Sequence, residues 1–95
     1  MKEIYIKAIA EKIGVRDWQV ENCAKLFEEG ATIPFVSRYR KERTGGLDEV
    51  AVAEVRHWTD VYAELEKRKS TILETIDQVG GLTPELRRKI ENSVE

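Results

Sequence analysis

In 95 residues the chain has one cysteine, one histidine and two prolines, and it lacks any long apolar run. A lone Cys23 closes no internal disulfide, so the fold does not depend on an oxidising compartment and a cytoplasmic setting is expected. Cys23 and His57 lie 34 residues apart, a spacing that matches no known ligand pattern, so neither a metal site nor a cofactor is expected. Nucleophilic catalysis lacks its parts as well. There is no G-x-S-x-G turn, and Ser37 stands in a helical stretch between Val36 and Arg38. Gly45-Gly46 has neither the wider glycine spacing nor the Lys-Ser/Thr pair of a phosphate loop. No enzymatic function is therefore expected. Charges at Lys2, Glu3, Lys7, Glu11 and Lys12 interrupt the N-terminal run, and nothing approaches the ~20 apolar residues that span a bilayer, so no membrane partner is expected. The chain also lacks an excess of positive charge. Its net charge of -2 argues against a surface that attracts nucleic acid everywhere, and any such contact has to be local.

What remains is rich in charge (36%) and in apolar residues (41%), a composition that suits helices packed around one modest core. Ile6, Ile9, Ala10 and Ile13 recur at helical spacing and Gly14 supplies a stop. Asp17 suits the cap of a second helix, with Val20, Cys23, Ala24 and Phe27 inward, and Gly30 ends it. Pro34 suits the first position of a third, short helix, where a missing N–H costs nothing. Thr44-Gly45-Gly46 breaks the chain again. Leu47, Asp48 and Val52 then form a start signal: Asp48 as N-cap, Leu47 and Val52 as a hydrophobic staple. No Gly or Pro interrupts the next thirty residues or so, about 45 Å of helix at 1.5 Å per residue. Its middle, residues 66–71, has no apolar position and reads as a solvated stretch, as do Lys67-Arg68-Lys69 and Arg87-Arg88-Lys89. Thr83-Pro84 opens a final helix with Leu86, Ile90 and Val94 on one face. The expectation is an all-α bundle of about five helices, near 2–13, 17–29, 34–42, 49–79 and 84–94, the fourth of them long.

Residues 29–49, EGATIPFVSRYRKERTGGLDE, organise this pattern. Phe35, Val36 and Tyr39 fall at i, i+1 and i+4, and their stripe predicts a buried Tyr39. Around it Arg38, Arg40, Lys41 and Arg43 set four cations against the single carboxylate of Glu42. On one continuous helix Arg38 and Lys41 would lie on one flank of the stripe and Arg40 and Arg43 on the other. That geometry predicts stems lying on apolar surface, with the charged heads paired to acids of the chain. Residues 44–95 carry seven basic and eleven acidic side chains, so acids are at hand. Trp18, Trp58, Tyr5 and Tyr62 fit core positions better than a base-stacking surface.

The run Glu29-Gly30-Ala31-Thr32-Ile33-Pro34-Phe35, then Arg38-Tyr39-Arg40-Lys41-Glu42, then Thr44-Gly45-Gly46-Leu47-Asp48-Glu49, resembles the signature of the N-terminal region of the Tex family of bacterial transcription accessory proteins. A weaker echo follows at Arg68, Ile72-Leu73, Gly80 and Leu82-Thr83. Arg43 and Gly81 depart from the residues more usual in the family. The resemblance implies a helical domain, here residues 1–95, that is a fragment of a larger multi-domain protein. In such proteins a ribonuclease-H-like domain not known as an active nuclease, helix-hairpin-helix elements and an RNA-binding S1 domain follow.

Two functions are therefore in view. One is a non-catalytic interaction and scaffolding module that contacts downstream domains of its own protein or the transcription machinery, with RNA bound by the full-length protein and weakly or not at all by this chain. The alternative is direct nucleic-acid contact through Arg38, Arg40, Lys41 and Arg43. Pro34, Phe35, Tyr39, Gly45, Gly46, Leu47 and Asp48 are expected to shape the motif.

Overall fold

The computed structural model describes residues 1–94, with no strand among them. Six helices follow in order: α1 (Glu3–Ile13), α2 (Asp17–Glu28), α3 (Ile33–Tyr39), α4 (Lys41–Thr44), α5 (Glu49–Gln78) and α6 (Pro84–Glu91). The all-α architecture and the long helix stand as the apolar periodicity predicts. The short third helix does not. It ends at Tyr39, Arg40 leaves helical geometry at φ -130° and ψ 33°, and a separate turn of helix follows.

The chain forms two compact units, Met1–Asp60 and the segment from Val61 onward. In the first unit α1 and α2 pack on each other, and α2 also packs on α4. Tyr5, Ile9, Val20, Cys23, Val36, Val52 and Val55 are buried to 2% exposure or less and make up its core. Each of the fully buried Ile and Val side chains contributes about 1.5–3 kcal/mol relative to an exposed one. Gly14 ends α1 in the left-handed region (φ 72°) while its N–H bonds to Ala10 O at 2.9 Å. The start of α2 differs from expectation in detail. Asp17 is already helical, the cap position is Arg16, and the Arg16 N–H donates to Gln19 Oε1 at 3.0 Å. The start of α5 follows the predicted chemistry. Asp48 Oδ1 accepts from the Ala51 N–H at 2.8 Å, and the staple residues Leu47 and Val52 are both buried.

In the second unit the C-terminal part of α5 continues without a break across the charged stretch at residues 66–71. One residue of that stretch is not solvated. Lys69 is buried at 4% exposure, and its ammonium donates to Glu91 O at 3.0 Å and to Ser93 O. The reason is electrostatic: the free carbonyls at the end of α6 carry partial negative charge that a cation neutralises. Thr83 Oγ1 caps the start of α6 by accepting from the Leu86 N–H at 3.1 Å. No side chain of α6 is buried.

Candidate functional site

The basic cluster sits on an elbow between α2 and α5, and the elbow is built by backbone hydrogen bonding. Thr32 caps α3, its hydroxyl accepting from the Phe35 N–H at 3.3 Å, so the helix begins at Ile33, one residue before the proline. Val36 and Ser37 turn inward and are buried, Ile33 and Arg40 are half-buried, and this i, i+3, i+4, i+7 set is the inner face. Ser37 tolerates burial because its hydroxyl donates to Pro34 O at 3.1 Å.

The break at Arg40 brings α4 against α2. A four-residue helix leaves its last carbonyls without partners, and α2 supplies them. Asn22 Nδ2 donates to Arg43 O at 2.8 Å, and Gln19 Nε2 donates to Thr44 O at 2.9 Å and more weakly to Gly45 O at 3.4 Å. Gly45 follows at φ 70° and Gly46 at φ 84°. At Gly45 the glycine is required twice over, since a Cβ there would also stand 2.7 Å from Gln19 Nε2. Gln19 and Asn22 were not among the candidates. The signal was present, in that two amides at i and i+3 of an otherwise amphipathic helix border its apolar stripe. Thr44 is fully buried beneath this turn, and its hydroxyl has no hydrogen-bond partner.

Three expectations about the cluster are corrected. Tyr39 is not buried: it is 63% exposed, and Phe35 is 39% exposed. Because Val36 and Ser37 point inward, Phe35, Arg38 and Tyr39, at i, i+3 and i+4, share the outer face. The two rings rest on each other, with centroids 5.5 Å apart and planes tilted by 49°. The charged heads are not paired with acids either. Among the described residues none of Arg38, Arg40, Lys41 and Arg43 takes part in an ion pair; the pairs that form lie elsewhere, as at Arg56–Asp60 and Lys25–Glu21. Arg40 is held differently, its guanidinium 4.8 Å from the Phe35 ring centroid and donating to Tyr39 O at 2.8 Å. Arg38 and Lys41 are exposed and Arg43 is half-buried. The helix break also removes the arrangement of two basic pairs on opposite flanks.

A groove of about 380 Å³ opens beside this face, lined by Leu26, Glu29, Gly30, Ala31, Thr32, Phe35 and Arg40. Other chemically active groups lie apart from it. Cys23 is fully buried in the core, where desolvation pushes its thiol up to about 12. His57 is exposed on α5 and stacks edge-on against Trp58, with centroids 5.0 Å apart. The Lys12 ammonium lies 4.6 Å from the Trp58 ring centroid. Tyr5 and Tyr62 are buried as expected and Trp58 is half-buried, whereas Trp18, expected in the core, is 48% exposed. Among the described residues no group of three or more His, Cys, Asp or Glu is placed to hold a metal ion, and no helix is long and apolar enough to cross a membrane.

These features define a small helical domain with a cationic and aromatic elbow whose end is pinned to its second helix. The family model of the Tex-like protein N-terminal domain matches residues 3–77, and the chain belongs to that family. It is similar to Protein tex of Bordetella pertussis, 47% identical over 85 residues that cover 90% of this chain and 11% of that protein. Uncharacterized protein YdcI of Bacillus subtilis is 40% identical over 87 residues, 92% of this chain and 12% of its own length. Transcriptional accessory protein Tex of Neisseria gonorrhoeae is 35% identical over 85 residues, 90% of this chain and 11% of that protein. The chain thus spans about a ninth of the length of these relatives.

Proposed function

We propose that this domain is the non-catalytic interaction and scaffolding module of a Tex-like transcription accessory factor, docking through the elbow at residues 33–48 onto downstream domains of the same protein or onto the transcription machinery. One observation carries this reading. Lys41 and Arg43 stand on α4, whose end is held by Gln19 and Asn22, Arg38 and Arg40 stand just before it, and among the described residues none of the four cations has an acidic partner. A pinned backbone lowers the ordering cost of an interface, and unpaired charge at its surface favours a complementary partner. The name of the gonococcal relative, a transcriptional accessory protein, supports the setting.

Direct contact with nucleic acid is the second reading, favoured by the exposure of Tyr39 beside Arg38. Against it stands charge. Four phosphate contacts on a single strand give a salt slope of about -2.8, a loss of roughly fifty-fold between about 50 and 200 mM salt, and an acidic domain has little affinity to lose.

The test is calorimetric titration of the 95-residue chain against a Tex relative from which the matching N-terminal segment has been deleted, with single-stranded RNA titrated in parallel at both salt concentrations. Docking in trans that is lost with Arg38→Ala and Lys41→Ala supports the module. Submicromolar, salt-sensitive RNA binding with no docking would replace it with the second reading.

A further inference from the structure

The elbow also carries information about the chemistry of what it docks. Phe35, Arg38 and Tyr39 form one exposed face, and the lining of the groove beside it includes the apolar Leu26, Ala31 and Phe35 together with the charged Arg40 and Glu29. Its volume of about 380 Å³ accommodates a large apolar side chain. Among the described residues no acid pairs with Arg38, Arg40, Lys41 or Arg43, and the neighbouring Glu28 faces the N-terminal amine at 3.7 Å, so the four cations are open to carboxylates of a partner. Guanidinium groups bind carboxylates through paired, charge-assisted hydrogen bonds, which makes a free, exposed Arg38 a specific receptor for such a group.

Resting on the docking reading above, we propose that the occupant of this surface is an acidic peptide segment, with an apolar or aromatic side chain seated in the groove and flanking carboxylates on Arg38, Arg40 and Lys41. Two observations favour a peptide over a nucleic acid strand. Single strands bind on successive open rings, and here one face of Phe35 is covered by the Arg40 guanidinium and Tyr39 leans against the same ring, so the outer face of α3 presents no run of open rings. Glu29 on the groove wall also opposes a ligand charged at every unit of its backbone. A peptide places its uncharged residue against Glu29 and its acids further along, in register with the cations.

The experiment uses fluorescence anisotropy with the 95-residue chain and three labelled probes: a peptide with a central Leu–Phe pair flanked by aspartate and glutamate, the same peptide with asparagine and glutamine in their place, and a single-stranded oligouridine of similar length. The acidic peptide is expected to bind best and to weaken by about tenfold or more in Arg38→Ala/Lys41→Ala, as charge-pair truncations at interfaces do. Tyr39→Ala is expected to weaken it as well, with helicity and melting temperature unchanged in both variants. Equal binding of the neutral peptide would overturn the acidic preference while leaving the docking reading intact. Binding of oligouridine alone would overturn both. Binding of none of the three would overturn the present inference, and docking in trans would then still decide the module reading on its own.

Discussion

A Cβ placed on Gly45 would stand 2.6 Å from Cη2 of Trp18, closer than any side chain tolerates. Residues 27 positions apart are thus held in near contact, and the turn that launches α5 is shaped by the start of α2.

This contact separates the two adjacent glycines. Both have positive φ, but nothing lies within 4 Å of a Cβ built on Gly46. Gly46→Ala should lose only the cost of a left-handed non-glycine residue, about 1–3 kcal/mol. Gly45→Ala should lose that and also displace the Gln19 amide from Thr44 O and Gly45 O, worth about 1 kcal/mol per bond. Urea denaturation of the two variants checks this; equal midpoints would show that Trp18 and Gln19 move aside without cost.

Gln19 and Asn22 should behave as positioning residues for the basic cluster. Gln19→Ala and Asn22→Ala each leave a carbonyl of α4 without its donor and should destabilise by about 1–3 kcal/mol. Amide hydrogen exchange at residues 43–46 should rise more than at the N-terminal half of α1. Uniform acceleration across both segments would mean that the amides support the whole unit and not the elbow.

The exposed and buried faces of α3 give a second pair. Tyr39→Ala should cost less than ~1 kcal/mol because the ring is largely in solvent. Val36→Ala, one turn earlier and fully buried, should cost roughly 2–3 kcal/mol. Thermal or urea unfolding measures both, and a loss of 3 kcal/mol or more at Tyr39 would mean that the ring is packed after all.

Cys23 supplies a pH dependence. Its thiol is raised from 9.0 to about 12 by burial, so the folded state holds its proton where the unfolded chain releases it. The contribution is fully present below pH 9.0 and is lost as pH rises through about 12, at about 1.4 kcal/mol per pH unit within that window. The difference in stability between wild type and Cys23→Ala should be flat from pH 6 to 8 and shift against wild type above pH 9. A thiol that reacts with a disulfide reagent at pH 8 as fast as a free one would contradict the burial.

Helix number and type were largely legible in the sequence because they depend on local chemistry. The stripe Ile6, Ile9, Ala10, the stop at Gly14, and the cap and staple at Leu47, Asp48 and Val52 involve residues within a turn or so of one another, and each stands as read. The family was legible too, because the run around Arg38-Tyr39-Arg40-Lys41-Glu42 survives as sequence. Tertiary structure decided the orientation of α3. A seven-residue helix with apolar side chains at Ile33, Phe35, Val36 and Tyr39 can bury either of two overlapping faces, and periodicity alone does not choose between them. The inner face is that of Ile33 and Val36, and Ser37 can share it because its hydroxyl is satisfied within the helix. The separate turn after the break at Arg40 likewise depends on tertiary structure, since its carbonyls at Arg43, Thr44 and Gly45 are met by amides of Gln19 and Asn22 that stand 21 to 26 residues before them. Whether a ring or an arginine faces solvent here thus depends on hydrogen bonds between distant segments, which no local pattern records.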